Sequence, residues 1–95
     1  MRVTFEPAAR DELDRIHAWI AKDNPRAAVE IIARIEAKVM ALETRELTNM
    51  GRPGLVKGTR ELIEYPYIIV YRVDQTRNEV VVVSVVHGAQ REETQ

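Results

Sequence analysis

The chain has 95 residues, a net charge of -1, 45% hydrophobic and 31% charged residues, and no cysteine. That balance describes one folded domain over residues 1–95 and excludes a disordered chain, a disulfide framework and a thiolate metal site. No apolar run approaches the ~20 residues that span a bilayer, and Met1-Arg2-Val3-Thr4-Phe5 lacks the apolar core of a signal peptide, so a cytoplasmic protein without membrane contact is expected.

Residues 2–5 read as a short strand, and Pro7 follows where a first helical turn tolerates proline. Across residues 8–22, Leu13, Ile16 and Ile20 recur at helical spacing with Trp19 beside them, while Arg10, Asp11, Asp14, Arg15 and Lys22 take the other faces. Asp23-Asn24-Pro25 supplies a stop and a restart, with Asn24 as N-cap and Pro25 as first residue of a second helix. Ala28, Ile32, Ile35, Val39 and Leu42 then form one apolar stripe. So short a turn predicts an antiparallel helical hairpin.

After Glu43 the helical pattern stops. Met50-Gly51-Arg52-Pro53-Gly54 has turn chemistry at nearly every position, so residues 44–58 read as a loop. Strand signals cover residues 59–63, break at Tyr65-Pro66, and resume over residues 67–73. Residues 74–78 connect to Val80-Val81-Val82-Val83-Ser84-Val85-Val86, a β-branched run suited to the middle of a sheet. The order predicts an α+β domain: an N-terminal strand, a two-helix antiparallel hairpin, then three antiparallel strands in a twisted sheet with the hairpin on one face.

Charge is distributed unevenly. Residues 1–43 carry 7 basic and 8 acidic side chains, and residues 44–91 carry 7 basic and 5 acidic. The second half is mildly basic, well short of the excess that holds nucleic acid by charge alone, so no direct DNA readout is expected.

Four motifs in the second half are more particular than the element order: Gly51-Arg52-Pro53-Gly54, Gly58-Thr59-Arg60-Glu61-Leu62, Tyr67-Ile68-Ile69-Val70-Tyr71-Arg72-Val73 and His87-Gly88-Ala89-Gln90-Arg91. With Phe5-Glu6-Pro7-Ala8-Ala9, Asp11-Glu12-Leu13 and the Asp23-Asn24-Pro25 turn, they resemble the RelE/ParE superfamily of toxins from type II toxin–antitoxin systems over essentially the whole chain. The resemblance implies a growth inhibitor neutralised by a cognate antitoxin whose C-terminal segment wraps across helices and sheet. ParE-like toxins usually pair with a dimeric DNA-binding antitoxin, so DNA contact would belong to that partner. The target would be DNA gyrase in ParE-like members, or messenger RNA on the ribosome in RelE-like members. A third reading is an antitoxin-binding module without toxicity.

RNA cleavage by a 2'-hydroxyl needs a proton acceptor, cations for the phosphorane and an acid for the leaving oxygen. His87, Arg60, Arg72 and Arg91 are the residues that could supply them, with Lys57 as a further cation and Tyr67 or Tyr71 as further donors. Each also reads as ordinary structure: strand arginines as solvated charges, the tyrosines as half-buried sheet residues, His87 as an imidazole satisfying a strand end. His17 sits in an amphipathic helix, and two histidines without cysteine predict neither metal nor cofactor.

The departures favour the gyrase reading. Where nuclease branches carry an arginine at the start of the third strand, this chain has Ile68. Where one branch has a carboxylate base after the Gly-basic-Pro turn, it has Gly54, Leu55 and Val56, and a lysine pair of another branch is reduced to Arg60 beside Glu61. A gyrase inhibitor is a binding protein rather than an enzyme; Arg52, Lys57 and Arg60 are its candidate target contacts. Trp19, Ile31 and Met40 fall beside or off the helix stripes and are the candidate antitoxin contacts, unless the sheet covers them.

Overall fold

The computed structural model describes residues 1–44 and 50–89. Strand β1 (Arg2–Phe5) leads into helix α1 (Pro7–Ala21), and after a tight turn helix α2 (Pro25–Met40) runs on into a 3-10 turn at Ala41–Glu43. Pro7 and Pro25 both open their helices, where a missing N–H is no loss. Asn24 caps α2 as its sequence position predicts, its side-chain oxygen accepting from Ala27 N–H at 3.0 Å.

Strands β2 (Arg52–Pro53), β3 (Arg60–Glu64), β4 (Tyr67–Asp74) and β5 (Glu79–His87) complete one five-stranded sheet in the order β1-β5-β4-β3-β2. β3, β4 and β5 are antiparallel to one another, as expected, and β2 is antiparallel to β3. The N-terminal strand joins them parallel to β5, Arg2 opposite Glu79 and Phe5 opposite Val82. The valine-rich β5 therefore lies inside the sheet, in keeping with its nearly continuous β-branched run. β2 falls within the stretch read as loop, because a two-residue strand leaves no alternation to see.

The helical hairpin covers one face. Ala9, Leu13, Ile35, Val39 and Leu42 bury against Leu62, Tyr67, Ile69, Tyr71, Val80, Val82 and Val85. Along β4 the core residues Tyr67, Ile69 and Tyr71 alternate with Ile68, Val70 and Arg72 on the reverse face. β5 breaks that alternation: Val70 pairs with Ser84 but Tyr71 with Val82, so Val83 is an extra residue, a β-bulge. The bulge is why the inward positions run Val80, Val82, then Val85, a step of three. β2 pairs with only Arg60 and Glu61 of β3; beyond it, Lys38 Nζ donates to the Ile63 carbonyl at 2.6 Å and blunts the open edge.

Candidate functional site

On α1, Glu12, Arg15, Ile16 and Trp19 stand at intervals of three, one and three and so share one face. This face meets Tyr67, Val85 and His87 at one end of the sheet, and the seven residues line an open cleft of about 680 Å3. Ile16 and Val85 form an apolar floor, Trp19 stands 70% exposed at the rim, and Lys22 Nζ lies 5.3 Å from the centre of its ring.

Glu12 fixes this geometry. β1 ends opposite Val82 and leaves β5 without a strand partner on that side beyond it, and Glu12 Oε1 accepts the Val85 N–H there at 3.2 Å. The Ser84 hydroxyl donates to Glu12 Oε2 at 3.3 Å. One carboxylate on α1 thus satisfies two donors at the point where β5 bends, joining helix to sheet beside the cleft.

His87 pairs with Tyr67 across β4 and β5, the rings meeting edge to face with centroids 5.6 Å apart. Its Nδ1 accepts the Ala89 N–H at 3.1 Å, so the neutral ring carries its proton on Nε2. Burial pushes the Tyr67 phenol above its ordinary 10.0, so it stays protonated and available as a donor.

The cations named from the sequence do not converge on His87. Arg60 faces Tyr71, four residues along β4 from the Tyr67–His87 pair, a distance of roughly 13 Å at the rise of a strand. Arg72 is five residues along, roughly 17 Å, and on the reverse face. Both are engaged within the chain: the Arg60 guanidinium donates to the Gly51 carbonyl, and Arg72 lies 3.8 Å from Glu6. The expected nuclease set of His87, Arg60 and Arg72 is therefore spread along the strands instead of gathered, and Arg91 lies outside the described residues.

The expected target-binding group is closer together. Arg52 and Arg60 belong to the paired strands β2 and β3, and Lys57 is exposed in the loop between them. Arg52 is held by the buried Glu61 carboxylate at 3.1 Å, which stabilises the hairpin and takes up part of that positive charge. Of the expected antitoxin contacts, Trp19 and Met40 are exposed at opposite ends of the helical hairpin, while Ile31 packs against the core. The cleft residues Glu12, Arg15 and Val85 are not among the site candidates that the sequence offers. The visible signal was a second, mixed polar and apolar stripe on α1 that ends at Trp19.

Among the described residues there is no group of three or more His, Cys, Asp or Glu that could hold a metal ion, and no helix long and apolar enough to cross a membrane.

Residues 3–92 match the family model described as the ParE toxin of the type II toxin–antitoxin system parDE. The chain is 41% identical over 92 residues, 95% of its length and 91% of the relative's, to a Sinorhizobium fredii protein named "Putative toxin Y4kP". Among solved structures, it is similar to a chain of the chromosomal ParDE system from P. aeruginosa, with a TM-score of 0.79, 23% identity, and coverage of 92% of this chain and 95% of that one. It is also similar to a chain of the toxin–antitoxin complex RelBE2 from Mycobacterium tuberculosis, with a TM-score of 0.64, 27% identity, and coverage of 90% and 95%. The intact E. coli RelBE complex shares the fold at a TM-score of 0.60 and 14% identity, with 90% of this chain and 97% of that one covered. With a family match over nearly the full chain and a relative of such identity, this protein belongs to the ParE toxin family of type II toxin–antitoxin systems.

Proposed function

We propose that this toxin acts by binding DNA gyrase, not by cutting messenger RNA, and that its antitoxin neutralises it by covering the cleft between α1 and the sheet. The observation that carries the first part is the dispersal of the nuclease cations named from the sequence, with Arg15 the one cation among the residues that line the cleft with His87. A phosphorane needs its acid, base and cations within hydrogen-bond reach of one phosphate, whereas Arg72 is on the other face of the sheet from His87 and roughly 17 Å along it. The substitution of Ile68 for a strand arginine points the same way.

For the antitoxin, the cleft offers a large aromatic at the rim, an apolar floor and a few fixed polar groups, the make-up of a surface that anchors a partner segment. The solved relatives are described as toxin–antitoxin systems or complexes, which supports an antitoxin as the occupant. Trp19 would be the anchor, with Met40 a more distant contact. A dimeric DNA-binding antitoxin would then supply any operator recognition.

The test is a paired assay on toxin freed from its complex: supercoiling by purified gyrase, beside cleavage of ribosome-bound messenger. Loss of supercoiling with intact messenger, unchanged in His87→Ala, is the expected outcome. Codon-positioned cuts abolished by His87→Ala would overturn it and make His87 a catalytic residue of a RelE-like nuclease. Growth unaffected by expression of the toxin alone would leave an antitoxin-binding module without toxicity.

A further inference from the structure

The loop between β2 and β3 stands at the far end of the sheet from the cleft. Its closing residue, Thr59, precedes Arg60, which lies four residues along β3 from Glu64, the partner of Tyr67. Leu55 and Val56 stand side by side in this loop, 61% and 69% exposed. Two adjacent large apolar side chains offered to water weaken solubility and contribute nothing to the core.

The loop that displays them is closed by hydrogen bonds. Gly54 N–H donates to the Thr59 carbonyl at 2.8 Å, and Thr59 N–H to the Val56 carbonyl at 3.0 Å. The Thr59 hydroxyl donates to the same carbonyl at 2.6 Å. Gly54 is required by close approach, since a Cβ there would overlap Thr59 Oγ1, and Gly58 turns the chain at φ +88. Six residues are thus set in one shape before any partner arrives, which removes most of the ordering cost of binding.

The surroundings are basic. Residues 50–60 contain Arg52, Lys57 and Arg60 and no acid, in a chain whose net charge is -1. Lys57, next to Val56, forms no ion pair among the described residues. An apolar tip with cations around it is complementary to an apolar recess rimmed by carboxylates.

We infer that this loop is the target-docking element of the toxin, with Leu55 and Val56 entering an apolar recess of gyrase and Lys57 meeting acidic residues at its rim. This rests on the gyrase reading. It shifts the energetic centre of the contact from the arginines, which the hairpin itself engages, to the two apolar side chains between them. It also separates target engagement from the antitoxin cleft, so that each can be altered alone.

Three variants test it: Leu55→Ser combined with Val56→Ser, Lys57→Glu, and Gly54→Ala, which keeps the apolar side chains but displaces them. Each is compared with the unaltered toxin in growth arrest on induction, in gyrase supercoiling and in affinity for the co-purified antitoxin. The double variant is expected to need about tenfold more protein for half-inhibition, the loss typical of truncating a binding anchor, with antitoxin affinity and melting temperature unchanged. Lys57→Glu is expected to weaken inhibition more at low salt than at high salt. Arrest and inhibition by the double variant and by Lys57→Glu equal to those of the unaltered toxin would overturn the docking role. An unaltered toxin that arrests growth but spares gyrase, with arrest lost in the loop variants, would keep the loop and remove gyrase as the target.

Discussion

At the scale of single residues, Tyr67 and Trp19 are the two whose chemistry reports on the cleft. Tyr67 is buried and its ionisation is opposed by that burial. The sign of the pH dependence follows: a phenol with a folded pKa above its unfolded value of 10.0 stabilises the fold fully below pH 10.0 and loses that contribution as pH rises through the folded value. Stability measured by urea unfolding is therefore expected to fall on the alkaline side of pH 10.0 in the natural protein, and to fall less in Tyr67→Phe. Trp19 is the chain's one tryptophan and is mostly exposed. Its emission is expected to shift to shorter wavelength when the antitoxin binds, and an unshifted spectrum in a stable complex would place the antitoxin elsewhere.

At the scale of elements, the contact that matters most is the one between α1 and the bulge of β5. Glu12 accepts from both the Val85 N–H and the Ser84 hydroxyl. Glu12→Ala leaves a partly buried backbone donor without its partner, and is expected to cost about 1–3 kcal/mol in chemical denaturation. Glu12→Gln keeps one acceptor oxygen and is expected to recover part of that loss. If both variants unfold at the same denaturant concentration as the natural protein, the bulge is held by the ladder alone.

This same junction marks the limit of what the sequence discloses. The helices were legible because Leu13, Ile35 and Val39 repeat at the helical period and Asn24-Pro25 carries its own capping chemistry. The inner position of β5 was legible from its valines. The bulge was not, because Val82, Val83 and Val85 are chemically alike, and which valine is extra depends on the register with β4. Without the bulge, neither the role of Glu12 nor the cleft could be read. Trp19 reads as surplus to the core, and it is exposed; Ile31 reads the same way, yet it packs against the core, because position relative to a stripe does not say how far the core extends around the helix. Leu55 and Val56 appeared in the sequence only as absences of a carboxylate, since exposure in a loop has no periodicity to reveal it.

At the scale of the whole molecule, the strands act as a spacer between the cleft at the His87 end and the basic, apolar-tipped loop at the Arg60 end. That spacing joins two surfaces on a fold of 95 residues. The parallel pairing of β1 with β5 has a further effect, because Arg2 and its partner Glu79 are 77 residues apart in the chain. Contacts that distant form late and make folding depend on β5. A fragment of residues 1–78 lacks the strand that lies between β1 and β4, so its circular dichroism and hydrogen exchange are expected to be those of a largely unfolded chain. On the ribosome, β1 must wait for β5. A chain released before Glu79 would hold β1 without its partner, and a toxin translated only that far would not yet have its fold.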